Sequence, residues 1–239
     1  MNDFLSADSF LSVSPALLER FPTYRGLVLI VRGLHNGPSD DHTRALLREA
    51  EAQARRTFAE QPLAHHPHLS AWRDAYRAFG VKPNRMSNSA EALISRVLKG
   101  GELPTINQLV DLYNAVSVRY AIPCGGEDLS AVAGRVTLSF ARGDEPFETV
   151  KDGSPATEFP IPGEVVWADE AGVTCRAWNW RQGTRTRITE DTRDAYFLFD
   201  TLAPLPADTL RQAGDELETL LRALSPACVV SRVMLGHPA

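Results

Sequence analysis

The residues of this sequence best suited to chemistry lie between positions 110 and 128. Asn114 occurs in a helical pattern on the same side as Val110, and the segment Pro123-Cys124-Gly125-Gly126-Glu127-Asp128 follows as a predicted loop. A buried amide requires hydrogen-bond partners, because leaving it unsatisfied costs about 1–3 kcal/mol. Two roles for Asn114 are therefore weighed equally: it fixes this loop, or it binds a substrate.

Histidine and cysteine also invite a catalytic or metal-binding interpretation. His65, His66 and His68 lie close together, but the prolines around them indicate a loop, and no second ligand cluster follows at a recognisable spacing. The chain has 3 cysteines and no CxxC pair. Cys124 is a disfavoured nucleophile because no histidine lies near it in sequence. We predict no metal site, no disulfide framework and no cofactor.

Composition limits the classes of protein that the chain fits. It has 239 residues, 44% of them hydrophobic, which suffices for a packed core. The formal net charge of −5 provides no global positive field, so any nucleic-acid binding must use a local patch. The longest apolar run, residues 26–31, is far shorter than the ~20 residues of a membrane span. The N-terminus lacks the positive charge of a signal peptide, and we expect a cytoplasmic protein.

The elements that must position these residues form an α+β pattern. Apolar stripes at helical spacing predict helices over residues 39–60, 71–79, 88–99, from 105 onward, and over 206–224. Ser70, Asn88 and Thr105 are the predicted N-caps of the three middle helices. Extended patterns predict strands near residues 10–15 and 24–34, through most of residues 134–202, and in the C-terminal tail. We predict one domain over residues 1–239, with helices packed on a mostly antiparallel sheet.

Familiar catalytic signatures are missing, but the order of motifs is informative. The sequence contains no GxSxG elbow, Walker loop or HExxH motif. Residues 66–147 resemble the B3/B4 domain of the β subunit of bacterial phenylalanyl-tRNA synthetase, and especially free-standing B3/B4 proteins. The family pattern Val-Asp-x-x-Asn is here Val110-Asp111-Leu112-Tyr113-Asn114. The family turn Pro-x-His-x-x-Asp corresponds to residues 123–128, with Gly125 in the position of the histidine.

The resemblance is strongest over residues 65–202 and implies an editing domain. Such a domain hydrolyses the ester between a wrong amino acid and the 3′ end of tRNA, and it lacks the ATP-binding core of a complete synthetase. In the synthetase the resembling domain removes tyrosine from phenylalanine tRNA. A glycine-rich strand of that pocket is replaced here by AWNWRQGTRTR, residues 177–187, so specificity for tyrosine is not carried over. By position, the implied pocket residues are Tyr113, Asn114, Pro123 and Cys124, with Ala177 and Trp178 near the far wall.

Ester hydrolysis is chemically feasible without the family histidine, because an aminoacyl ester is already activated. The backbone amides of Gly125 and Gly126 are candidate donors to the oxyanion, and Asn114 is a candidate to orient substrate or water. Glu127 or Asp128 is the candidate general base if its surroundings raise its pKa. The alternative for Asp128 is that it caps the backbone of the loop.

A group of arginines predicts where tRNA binds. Arg181, Arg185 and Arg187 place three fork-shaped donors close together in an otherwise acidic protein. Trp178 and Trp180 would share one side of a regular strand, which suits either base stacking or core packing. This patch predicts moderate, salt-sensitive RNA binding.

Two functional classes remain open at this point. The first is a hydrolase that acts in trans on mischarged aminoacyl-tRNA. The second is a non-catalytic module that binds tRNA or an amino-acid-like ligand in the same pocket. The expected partner is tRNA, and neither DNA nor a membrane is expected.

Overall fold

The structure is a computed structural model that describes residues 10–236. The N-terminal segment that was considered for a signal peptide, residues 1–10, lies outside this range apart from Phe10. The helices found within it are α1 Pro15–Arg20, α2 Asp41–Thr57, α3 Pro67–Ala78, α4 Ser89–Leu98, α5 Gln108–Tyr120 and α6 Ala207–Leu224. The strands are β1 Leu11–Val13, β2 Arg25–Arg32, β3 Cys124–Asp128, β4 Val136–Phe140, β5 Phe147–Lys151, β6 Ser154–Glu158, β7 Val165–Asp169, β8 Gly172–Arg176, β9 Arg181–Gln182, β10 Ala195–Thr201 and β11 Val229–Gly236.

Two main sheets organise the molecule. One has the order β11-β2-β10-β3 and is antiparallel throughout. The other has the order β1-β4-β7-β8-β9, in which β1 runs parallel to β4 and the remaining pairs are antiparallel. β5 and β6 form a separate hairpin. The predicted α+β fold with mostly antiparallel sheet is confirmed.

Strand β10 is buried on both faces and separates two apolar cores. Tyr196 and Leu198 pack into a core that contains Trp72 and Trp178. Phe197 and Phe199 point the other way, into a core built by α5 and α6. Because successive side chains of a strand face opposite sides, the four-stranded sheet is covered on both of its faces.

The helix starts differ from prediction at two of three positions. Asn88 is confirmed as the N-cap of α4, where its side-chain oxygen accepts from the backbone N–H of Glu91 at 2.9 Å. Helix α3 begins earlier than predicted, at Pro67, so Ser70 lies inside it; proline suits a first turn, whose N–H groups are unpaired anyway. Asn107, rather than Thr105, caps α5. None of the helices in the described range is long and apolar enough to cross a membrane.

The predicted loop at residues 123–128 is wrong, because most of it is strand β3. Gly125 pairs with Leu198 and Gly126 with Phe197. Glycine is normally depleted in strands, which is why the sequence suggested a loop. Here a Cβ on Gly126 would lie 2.7 Å from Cδ1 of Ile188 and 2.8 Å from Cδ1 of Phe197, so close packing requires glycine.

Substitution of the two β3 glycines is expected to have unequal effects on stability. Gly126→Ala forces a methyl group into fixed core side chains, and we expect it to lower the free energy of unfolding by about 1–3 kcal/mol. Gly125→Ala meets only the end of the Gln182 side chain, at 3.1 Å, so its cost is expected to be smaller. Urea denaturation of both variants measures the difference; equal costs would contradict this packing account.

Candidate functional site

A cavity of about 250 Å³ opens between α4, α5, strand β3 and the turn that follows β8. Its floor is the face of the four-stranded sheet that carries Tyr196, Leu198 and Asp200. Ser89, Ala92 and Leu93 of α4 line another wall. The structure brings these predicted site residues together around it: Tyr113, Asn114, Pro123, Cys124, Gly125, Glu127, Trp178, Trp180 and Arg181.

Asn114 contributes a free carboxamide to this cavity. It is half-buried, and its side chain makes no hydrogen bond to another described residue. The chain after α5 is fixed instead by Ser117, whose hydroxyl donates to the carbonyl of Ile122 at 2.7 Å. Of the two roles weighed for Asn114, tying down this segment is therefore wrong.

Glu127 is a buried carboxyl at one end of the cavity floor. Its side chain lines the cavity, and the hydroxyl of Tyr196 donates to its Oε2 at 2.7 Å. Burial raises the pKa of Glu127 to about 7, against the opposing effect of the Tyr196, Thr174 and Thr186 hydroxyls. A carboxyl with this pKa exchanges a proton near neutral pH, as a general base must.

Asp200 is a second buried acid in the same cavity, and the sequence analysis did not identify it. Tyr24 donates its hydroxyl to Oδ1 at 2.8 Å, and Nδ2 of Asn179 donates to Oδ2 at 3.3 Å. Burial raises the pKa of Asp200 to about 7, opposed by these donors and by the nearby indole N–H groups of Trp167 and Trp178, neither of which reaches hydrogen-bond geometry. The signal that could have revealed it in the sequence is a single acidic residue, Asp200, within the apolar segment that forms β10.

Strand pairing fixes the relative positions of the two acids. Glu127 lies opposite Tyr196, and Asp200 lies four residues further along β10 on the same face. At about 3.3 Å per residue, their backbones are about 13 Å apart along the strand. Gly125 and Leu198 lie between them. The cavity therefore has an apolar floor with a titratable carboxyl at each end.

A strained turn after β8 forms the wall opposite α5. Ala177 and Trp178 have φ values of 42° and 65°, in the left-handed region that other residues than glycine rarely adopt. Glu164 holds this turn, since it accepts from the Ala177 N–H at 2.9 Å and from the Arg176 guanidinium at 2.9 and 2.8 Å. Trp178 is fully buried and lines the cavity, while Ala177 lies behind it. The assumption that Trp178 and Trp180 share one side of a strand was wrong, because both lie in this turn.

The glycine amides are placed differently from the prediction. The Gly126 carbonyl accepts from Gln182 and the Asp128 N–H donates to Thr186, so these residues direct their backbone groups away from β10. In an antiparallel ladder the intervening Gly125 then uses its N–H within the sheet. Gly126 does not line the cavity. Neither amide is presented to the cavity as the loop interpretation required.

Asp128 also lies outside the cavity, where it has the capping role given as its alternative. Its Oδ1 accepts from the N–H of Ser130 at 2.8 Å and from the hydroxyl of Ser130 at 2.6 Å. Its Oδ2 accepts from the hydroxyl of Thr192 at 2.6 Å. With both oxygens occupied, Asp128 is not placed to activate a water in the cavity.

Comparison with known proteins identifies the family. The B3/4 domain matches residues 71–220, which is more than half of the chain. The chain belongs to the B3/4 domain family. The resemblance drawn from the sequence is thereby confirmed, and the matched range includes every predicted site residue.

Solved structures that resemble this B3/4 protein include one from a phenylalanyl-tRNA synthetase. An N-terminal fragment of the phenylalanyl-tRNA synthetase β subunit from Pyrococcus horikoshii aligns with a TM-score of 0.46 and 12% identity. The alignment covers 98% of this chain and 52% of that chain, so this B3/4 protein spans about half the length of the fragment. No protein with a curated description matches.

The three predicted arginines of this B3/4 protein do not share one environment. Arg185 is engaged by Asp169 through contacts of 2.7 and 2.9 Å, and it also donates to the Ala131 carbonyl. Arg181 lines the cavity and lies 5.9 Å from the ring centre of Trp180. Arg187 is exposed. Arg185 therefore does not belong to a free arginine patch, because its charge is already paired.

Thiols and metal ligands contribute little to the site. Burial raises the pKa of the Cys124 and Cys175 thiols well above the usual value, which disfavours the reactive thiolate. Between residues 10 and 236 no three His, Cys, Asp or Glu side chains are grouped so that they could hold a metal ion. His68 is buried in α3, where Trp72 donates to it at 3.1 Å.

The stability of this B3/4 protein should depend on pH through its buried acids. In the unfolded chain Glu127 titrates near 4.5 and in the folded chain at about 7. Between these values only the folded state keeps the proton, so the contribution of Glu127 to the free energy of unfolding falls as pH rises from about 4.5 to 7. At about 1.4 kcal/mol per pKa unit, the loss amounts to about 3 kcal/mol and is complete above pH 7.

Glu127→Gln isolates this contribution. Urea denaturation of the wild type and the variant at pH 4.5 and 8 should show a smaller loss of stability in the variant. The difference between the two proteins cancels other titrations, such as that of buried His68, whose pKa is lowered to about 4. Exposed Glu190→Gln is the matched control and should behave as wild type. The same loss in Glu127→Gln and wild type would contradict the assignment.

Proposed function

We propose that this B3/4 protein hydrolyses the ester that joins a mischarged amino acid to the 3′ end of tRNA. One observation supports this most directly: the cavity contains a free carboxamide, Asn114, together with buried carboxyls whose pKa values are raised to about 7. Family membership supports tRNA as the partner. A small, partly apolar cavity suits an amino-acid side chain better than a whole nucleotide.

Glu127 is the proposed general base. Tyr196 occupies Oε2, which leaves Oε1 to accept a proton, whereas both oxygens of Asp200 already accept hydrogen bonds. Water attacks the ester carbonyl while its proton passes to Glu127. The bond to the ribose oxygen then breaks and that oxygen takes up the proton, releasing a free amino acid and tRNA. The Tyr196 hydroxyl fixes the carboxylate during this transfer.

Side-chain amides replace the glycine amides as proposed oxyanion donors. The two N–H bonds of the Asn114 carboxamide have no partner among the described residues. Gln182 also lines the cavity and uses one N–H on the Gly126 carbonyl at 2.9 Å, which leaves its second N–H for a ligand. Preorganised donors of this kind stabilise the negative charge that develops on a carbonyl oxygen under attack.

Asp200 is proposed to bind the positive end of the substrate. An aminoacyl ester carries an α-ammonium group, and a carboxylate at the far end of the floor is complementary to it. Arg181, at the cavity, and exposed Arg187 are the arginines of the original patch that are proposed to contact tRNA. Arg185 is omitted because Asp169 pairs with it.

A non-catalytic binding module is the second candidate. The observation that favours it is Gly125, which stands where the related domains have a histidine. In that case the same cavity would hold an amino-acid-like ligand or the aminoacyl end of tRNA without cleaving it.

Deacylation of a panel of mischarged tRNAs, each carrying a labelled amino acid, separates the two candidates. We expect release of one or a few amino acids. Asn114→Ala should lower this rate by about 10²–10³, as loss of one oxyanion donor does, with little change in stability because its side chain makes no internal hydrogen bond. Glu190→Gln should release amino acids as wild type does. A flat panel together with measurable tRNA binding would reject hydrolysis and establish a binding module.

The rate of deacylation should report the pKa of Glu127. After subtraction of the protein-free rate, kcat is expected to rise with pH up to about 7 and then level off, because only the Glu127 carboxylate accepts the proton. The comparison uses kcat because in the substrate complex the bound ammonium group keeps Asp200 ionised, so its titration does not enter the profile. Glu127→Gln should abolish this rise and most of the activity. A profile in Glu127→Gln that still rises to a plateau near pH 7 would assign the base elsewhere, with Asp200 as the next candidate.

A further inference from the structure

Residues 73–101 are strongly basic within an acidic protein. They contain six basic and two acidic side chains, while the whole chain has a net charge of −5. The basic residues line two adjoining depressions of about 740 and 420 Å³, which share Pro83 and Asn84 as lining residues. We call this surface the basic groove. It consists of Arg73, Arg77, Lys82, Arg85, Arg96 and Lys99.

Most of these cations are available to a partner. Lys82, Arg85, Arg96 and Lys99 are exposed and form no ion pair with any residue of the range 10–236. Arg96 donates its Nε–H to the backbone carbonyl of Glu102 at 2.6 Å, which leaves its two terminal nitrogens for a ligand. The other two are paired, Arg73 with Glu91 at 2.5 Å and Arg77 with Asp74 at 2.6 Å. Because like charges repel, four unpaired cations on one surface do not stabilise the fold.

The basic groove is continuous with the cavity. Ala92 lines both, and Ser89 also lines the cavity. Ser89, Ala92, Arg96 and Lys99 follow one another at spacings of three and four, so they form one stripe along α4 and its C-cap. At 1.5 Å per residue, this stripe is about 15 Å long, and it connects the mouth of the cavity with the cations at the end of α4.

Helix electrostatics explain only part of this arrangement. Basic residues near the C-terminus of a helix are stabilised by its dipole, by about 0.3–1 kcal/mol each. This accounts for Arg96 and Lys99 at the end of α4. Lys82 and Arg85 lie four and seven residues beyond Ala78, the last residue of α3, and so outside the last helical turn, where a helix dipole acts. The dipole therefore does not explain why they lie on the same groove.

We propose that the basic groove binds the phosphates of a single-stranded RNA segment whose 3′ end enters the cavity. This rests on the proposed function, which places an aminoacyl 3′ end there. Guanidinium and ammonium groups recognise phosphate by charge and hydrogen bonding, without reading sequence. The groove thus fixes the direction in which the strand leaves the site, along α4 and away from β10.

RNA binding as a function of salt concentration tests this proposal. The probes are a deacylated tRNA and a short single-stranded RNA with a natural 3′ end, both labelled at the 5′ end and followed by fluorescence anisotropy. For Arg96→Gln/Lys99→Gln we expect Kd to rise about tenfold at low salt. The slope of log K against log salt should become shallower by about 1.4, as loss of two single-strand phosphate contacts requires.

Two further double variants make the comparison specific. Arg44→Gln/Arg211→Gln removes the same charge from exposed, ion-paired arginines of α2 and α6 and should leave Kd unchanged. Arg181→Gln/Arg187→Gln removes the two arginines that the proposed function places in contact with tRNA, and the groove variant should weaken RNA binding in this background as it does in the wild type. If the groove variant binds both RNAs with the affinity and salt slope of wild type, the proposal is overturned.

A phosphate-free substrate separates this proposal from the hydrolase proposal. Hydrolysis of a 2′(3′)-O-aminoacyl-adenosine should proceed at the wild-type rate in Arg96→Gln/Lys99→Gln, because the groove acts on phosphates only. Loss of this activity as well would place the defect in the cavity and count against the groove. If no protein cleaves any ester while the groove variant still binds RNA more weakly, the groove stands and hydrolysis fails.

Discussion

The antiparallel pairing of β3 with β10 is the constraint on which the site depends. It places Glu127 opposite Tyr196 and keeps Asp200 on the same face, at the far end of the floor. It also requires glycine at position 126, where Ile188 and Phe197 leave no room for a side chain. A shift of one residue in this register would turn Glu127 toward the apolar core of α5 and α6. The cavity exists because this register is fixed by packing on both faces.

The two buried acids show why the site is costly to the fold. An ionised carboxyl loses its hydration on burial, and the donors from Tyr196, Tyr24 and Asn179 restore only part of it. The pKa values of Glu127 and Asp200, raised to about 7, reflect the part of the lost hydration that these hydrogen bonds do not replace. The strained turn at Ala177 and Trp178, held by the buried pair of Glu164 and Arg176, is a second local cost at the same cavity. Such costs gathered around one cavity are typical of functional sites rather than of ordinary cores.

Charge is distributed unevenly, and the distribution matches the proposed ligand. The floor of the cavity holds acids, which suit an ammonium group, whereas the groove along α4 holds cations, which suit phosphates. An aminoacyl-tRNA end carries both groups in the same order, with the ammonium at the terminus and the phosphates behind it. A net charge of −5 over the whole chain disfavours contact with RNA elsewhere, so the local surfaces set the orientation.

The sequence by itself determined the α+β class, the cap at Asn88 and the family, because these depend on local patterns and on the order of motifs. It also named about half of the residues that line the cavity, among them Tyr113, Asn114 and Pro123, which the family resemblance implied. Only the tertiary structure decided that residues 124–128 are a strand, that Asp128 is a cap, and that Arg185 is paired with Asp169. It alone revealed Asp200 as a second buried acid in the same cavity as Glu127. The reason is physical: burial, strand register and ion pairing depend on contacts between residues far apart in the chain, and local sequence propensity does not predict such contacts.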